Sequence, residues 1–169
     1  TGQNVLTGTR PSSSLEERAN IALDAFTSDL SQTALVEVGI DFDTHRNNRT
    51  QSDAQELLFA QLDTVLASLE GTPGDTPGHT LLDETLVVTL SEMTRTPLKN
   101  TANGKDHWPW ATMMVHGTGV VGGRAHGETD TSQRGLPISL ATGAGDANGV
   151  ILQPDVMLNT LEALAGLSV

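Results

Sequence analysis

Ala34-Leu35-Val36-Glu37-Val38-Gly39-Ile40 is the stretch on which the fold turns. It is short, apolar and rich in β-branched residues, so it reads as a strand. It runs into Asp41-Phe42-Asp43-Thr44-His45, and Asn47 to Thr50 form a polar turn. The clearest element follows at 51–70, where Ala54, Leu57, Leu58, Leu62, Val65, Leu66 and Leu69 recur at helical period. Asp53 and Glu56 near its start suit the helix dipole. Gly71 to His79, with Pro73 and Pro77, ends it as a loop. Thr85 to Leu90 is a second β-type run. Strand, helix and strand over 34–90 make a βαβ unit, which implies parallel strands and a right-handed crossover.

Outward from that unit, residues 1–13 read as a polar lead-in loop. Ser13 with Glu16, or Ser14 with Glu17, fits a capping box. Leu15, Ala19, Ala22, Phe26 and Leu30 then recur at helical spacing, and this helix would cover the sheet's second face. Ala111 to Val115 reads as another strand. Gly117, Gly119, Gly122, Gly123 and Gly127 mark turns and close backbone approach. Asp155 is expected to cap a final helix over 154–167. The expectation is one α/β domain over 1–169, with 91–150 as its loop-rich site region.

Composition narrows the function classes. The 169 residues carry 9 Lys+Arg against 21 Asp+Glu, a formal net charge of −12. Nucleic acid is not expected as a partner, because phosphate binding needs a basic surface. Lys99 and Lys105 are the only lysines, a balance similar to that of acid-rich, lysine-poor proteins of saline habitats. The absence of cysteine excludes disulfides, thiolate zinc sites and cysteine nucleophiles. No apolar run approaches the ~20 residues of a membrane span, and no signal peptide is visible. The chain opens on Thr1, which reads as a processed product or as part of something longer.

Two clusters carry the chemistry. Asp41, Asp43 and His45 follow the first β-type run, and in extended chain Asp43 and His45 point to one side. Carboxylate with imidazole suits zinc, manganese or iron better than calcium. The alternative is a polar turn in which Asp43 caps and His45 is solvated. In the second cluster, Ser91-Glu92 follows the second β-type run, with Arg95 three residues on. Glu92 is either a ligand or a solvated loop carboxylate. Arg95 would either clamp a phosphate or sulfate bidentately or pair with Glu92. Asp106-His107 sits beside Trp108 and Trp110, as ligands or as a hydrogen-bonded loop pair. His79, His116 and His126 offer less, with His126 the best further ligand among them. No P-loop, Gly-x-Ser-x-Gly or Ser-x-x-Lys pattern occurs.

Thr85 to Pro97, TLVVTLSEMTRTP, and Gly104 to Asp130, GKDHWPWATMMVHGTGVVGGRAHGETD, resemble a known bacterial family. Together with the Phe42-Asp43-Thr44-His45 turn, they look like the C-terminal half of proteins grouped as domain of unknown function 1501. The resemblance runs from about residue 35 to the end of the chain. That family is similar to sulfatases and the alkaline phosphatase superfamily. The resemblance implies a parallel-sheet, three-layer sandwich of which only the C-terminal portion is present. It also implies export to the periplasm or the cell exterior, and one or two divalent ions of zinc, manganese or iron. By this resemblance Asp43, His45, Glu92, Asp106 and His107 would be metal ligands, and Arg95 would bind the non-bridging oxygens of an anionic ester. Two departures stand beside it. No segment aligns with the superfamily's nucleophile strand, and Glu92 replaces an aspartate. A partner chain or a further N-terminal segment is therefore expected. The rival expectations are a catalytically inactive structural subunit of an extracellular assembly and a metal-binding module without turnover.

Overall fold

The computed structural model describes residues 14–164 and residue 166. The expected lead-in loop at 1–13 and the last residues of the expected final helix lie outside them. The described chain forms two compact units. The first holds 14–81 and 100–104; the second holds 82–99 and the residues from 105 onward.

The first unit is helical. Helix α1 spans Leu15–Thr27 and opens on Ser14 rather than Ser13. The Ser14 hydroxyl accepts from the Glu17 N–H at 3.1 Å, and the Glu17 carboxylate accepts from the Ser14 N–H at 2.9 Å. Both bonds satisfy backbone donors that the first helical turn would otherwise leave bare. Leu15, Ala19 and Ala25 face inward. Helix α2 spans Thr50–Gly71 and buries Leu62 and Leu69. The apolar stripe expected over 51–70 is therefore a helix, and two of its leucines contribute to the core. Leu57, at the other end of the stripe, is 48% exposed.

Residues 34–40 form no strand, and Gly39 adopts φ +71°, which removes the βαβ unit. Their backbone N–H groups find no ladder partner among the described residues. The carbonyl of Glu37 accepts from Arg18 Nη1 at 2.7 Å, so α1 holds the segment by a guanidinium and not by a strand. Alternation persists: Val36, Val38 and Ile40 are half-buried while Leu35 is 86% exposed.

The second unit contains the sheets. After the short helix α3 (Leu81–Glu84) comes strand β1, Leu86–Thr89, within the expected run. It pairs antiparallel with β4, Met114–Gly117, in the register Leu86↔Gly117 to Thr89↔Met114. The expected strand at 111–115 thus begins three residues later. Strand β2, Thr94–Arg95, pairs antiparallel with β3, His107–Trp108. Each sheet has two strands, so the expected parallel three-layer sandwich does not form. Two facts overturn it: the only long β-type run of the first unit has no strand partner, and the partner of β1 runs the opposite way. Gly117 makes the second pairing possible. It adopts φ +97°, and a Cβ there would overlap the Thr85 carbonyl. Helix α4 spans Pro154–Leu164, with Pro154 at its first position and Asp155 inside its first turn, not at the cap.

Candidate functional site

In the first unit the turn after the extended segment is built locally. The Asp41 carboxylate accepts from the Asp43 N–H at 2.7 Å, and the Phe42 carbonyl accepts from Thr44 N–H at 2.9 Å. These two bonds fix the local backbone, and Asp43 lies against His45 two residues on. His45 Nε2 lies 3.2 Å from Asp43 Oδ1, with the two side chains 39% and 65% exposed. Both are therefore open to solvent and to a solute ion. Thr44 between them points inward and is 5% exposed. Its hydroxyl donates to Gln51 Oε1 at 3.4 Å, which ties the turn to the start of α2.

A loop distant in sequence clamps this turn. Asn100 Nδ2 donates to the His45 carbonyl at 3.0 Å, and the Asn48 N–H donates to the Asn103 carbonyl at 3.0 Å. Asn100 Oδ1 accepts from the N–H groups of Ala102 and Gly104, which closes the loop on itself. Gly104 is buried against the carbonyls of Thr44 and His45, and any Cβ would overlap them. Asn100 and Gly104 are thus positioning residues for His45, although no local pattern in the sequence marks them as such. Gly104 opens a motif read for its acid and its histidine, but its own role depends on a contact with a residue far back in the chain.

The second unit holds the other expected residues. Ser91 Oγ donates to the Met93 carbonyl at 2.9 Å and lies 3.2 Å from Glu92 Oε2. Glu92 is exposed at the end of β1. Arg95 sits directly across the β2–β3 ladder from His107. Opposed residues in an antiparallel pair share a face, so the two side chains leave the ladder on the same side. Arg95 Nη1 also donates to the Lys105 carbonyl at 3.3 Å. Asp106 is held by its backbone: its carbonyl accepts from Thr96 N–H at 2.8 Å and its N–H donates to Thr96 Oγ1 at 3.1 Å. Trp108 Nε1 donates to the Gln133 carbonyl at 3.2 Å and anchors the hairpin to the later loop.

Within units, then, the structure brings Asp43 to His45 and Arg95 to His107. It leaves Glu92 beside Ser91 and holds Asp106 through its main chain. Asp43 and His45 make a possible His/Asp metal-binding group. Two donors bound tetrahedrally to zinc at ~2.0–2.1 Å would lie ~3.3 Å apart, so their spacing fits a shared ion. The same spacing serves an imidazole N–H donating to the carboxylate, and a cation seated between the two would replace that proton.

No curated protein and no solved structure matches the chain. The model of one family, described as protein of unknown function (DUF1501), matches residues 6–138. The match starts well before residue 35 and stops before α4, which corrects the extent expected from the motifs. It covers the aspartate turn, the clamp loop and the β2–β3 hairpin together, and the chain belongs to this family of proteins of unknown function, DUF1501.

Proposed function

We propose that the chain is a divalent-metal-binding domain that hydrolyses anionic phosphate or sulfate esters outside the cytoplasm. The observation that carries the metal is the Asp43–His45 pair, 3.2 Å apart and open to solvent. An oxygen and an imidazole nitrogen suit zinc, manganese or iron. The ligand set assigned here is Asp43 and His45 in the first unit and Glu92, Asp106 and His107 in the second. When bound, such an ion supplies Lewis acidity and a water that ionises near neutral pH. The chain's own residues do the rest. Arg95 offers a planar fork of donors to the non-bridging oxygens of the ester. The absence of cysteine suits an exported protein as well as a cytosolic one, and the export proposed here rests on the family resemblance.

The test joins metal content to turnover. The purified protein should contain stoichiometric zinc, manganese or iron and hydrolyse an aryl phosphate or aryl sulfate. Arg95→Ala should raise KM for the ester while leaving metal content unchanged. Metal without turnover of either ester would remove the hydrolase and leave a binding module.

One observation favours a second reading, a structural subunit without activity. Only six apolar side chains are buried among the described residues, while Leu35, Leu90, Leu98 and Val121 are each more than 60% exposed. A core that small buries little apolar surface, and assembly with another chain would bury more. Metal-free native protein in a stable oligomer would establish that reading.

A further inference from the structure

A polar groove of about 490 Å³ lies between α1 and α2 in the first unit, away from the aspartate turn. Its walls are the C-terminal turns of both helices. Asn20, Leu23, Asp24 and Thr27 come from α1; Ser68 and Thr72 come from the end of α2. Its hydrogen-bonding character is set by where the hydroxyl protons go. Thr27 Oγ1 donates to the Leu23 carbonyl at 3.0 Å, Ser68 Oγ to the Thr64 carbonyl at 3.0 Å, and Thr72 Oγ1 to the Ser68 carbonyl at 2.7 Å. A hydroxyl has one proton, so each of these oxygens has only lone pairs left to offer. The Asp24 carboxylate adds two more acceptor oxygens and the Asn20 amide a further one.

The field has the same sign as the acceptors. Helix C-termini carry partial negative charge and favour cations. Neither α1 nor α2 has a basic residue in its last turn to answer it. No lysine or arginine is among the described residues lining the groove. Leu23 gives an apolar surface beside these acceptors, and the Asn20 NH2 is the one side-chain donor among the described lining residues with protons to spare. The volume falls in the range of small-molecule sites.

We infer that this groove binds a small organic cation, an alkylammonium whose charged head meets Asp24 and the hydroxyl oxygens while its aliphatic stem lies on Leu23. A bare metal ion fits less well, because one carboxylate is too few for a dedicated site and a hydrated ion makes no use of Leu23. The assignment is independent of the proposed hydrolase.

The probe is butylammonium chloride, titrated into the full chain and followed by amide chemical shifts. Sodium chloride and magnesium chloride at matched ionic strength are the controls. Saturable shifts confined to the amides of residues 20–27 and 68–72 are expected with butylammonium alone. Asp24→Asn, which keeps the side-chain shape, should weaken binding at least tenfold. Ser68→Ala, which removes one acceptor, should weaken it a few-fold. Unsaturable shifts, the same pattern with magnesium or sodium, or unchanged affinity in Asp24→Asn would each overturn the assignment.

Discussion

His45 is held by its main chain, and its side chain lies 3.2 Å from Asp43 and is 39% exposed. Asn100 fixes its carbonyl, Gly104 packs against it, and the preceding residue, Thr44, is tied to Gln51. Gly104→Ala must push a methyl into the carbonyls of Thr44 and His45. It is expected to cost about 1–3 kcal/mol, read from the midpoint of urea unfolding. Asn100→Ala removes a donor to His45 and the acceptor of two loop N–H groups, and should cost a similar 1–3 kcal/mol or so. Both variants should also bind metal more weakly than the parent at equal pH, because they loosen the turn that presents Asp43 and His45. Unchanged affinity in a folded variant would show that the clamp serves only stability. Asp43 and His45 were legible in the sequence because their chemistry and two-residue spacing are local. Asn100 and Gly104 were not, because their work depends on tertiary contact with a turn more than fifty residues earlier.

Elements differ in how far their own residues determine them. The α2 stripe repeats over many turns, and the helix forms where the pattern places it. The capping box at Ser14 is equally local, and Ser14→Ala should lower stability by about 1 kcal/mol, measured as a shift in the unfolding midpoint. Strands need partners, and a partner's identity is written elsewhere in the chain. Residues 34–40 have strand composition, yet they join no ladder among the described residues, and the Arg18 guanidinium holds the Glu37 carbonyl instead. β1 was found within its run, but its antiparallel pairing depends on Gly117 tolerating φ +97° beside Thr85. A parallel sheet therefore seemed to follow from two β-type runs and a helix, and it failed at the pairing. Amide hydrogen exchange tests the distinction. The N–H groups of 34–40 should exchange within the range of unprotected loops, while those around Leu62 and Leu69 should be the slowest of the first unit. Protection over 34–40 equal to that of β1 would mean that the segment does pair in solution.

The molecule as a whole is acidic and thinly cored. A net charge of −12 on 169 residues resists compaction through self-repulsion, which added salt screens. Raising sodium chloride from about 10 mM to about 0.5 M spans a Debye length falling from roughly 30 Å to a few ångströms. Tm is expected to rise across that range, and a fall would show that surface attraction outweighs repulsion. Composition made the charge legible at once, and it made nucleic acid an unattractive partner. It could not show how little apolar side chain is buried, since that is a property of packing. The central claim is that Asp43 and His45 hold a metal ion. Elemental analysis of the native protein beside Asp43→Ala, His45→Ala tests it most directly, with circular dichroism to confirm that the variant is folded. Stoichiometric zinc, manganese or iron in the native protein and none in the folded variant is the expected result. Metal-free native protein, or full metal retained by the variant, would contradict the claim.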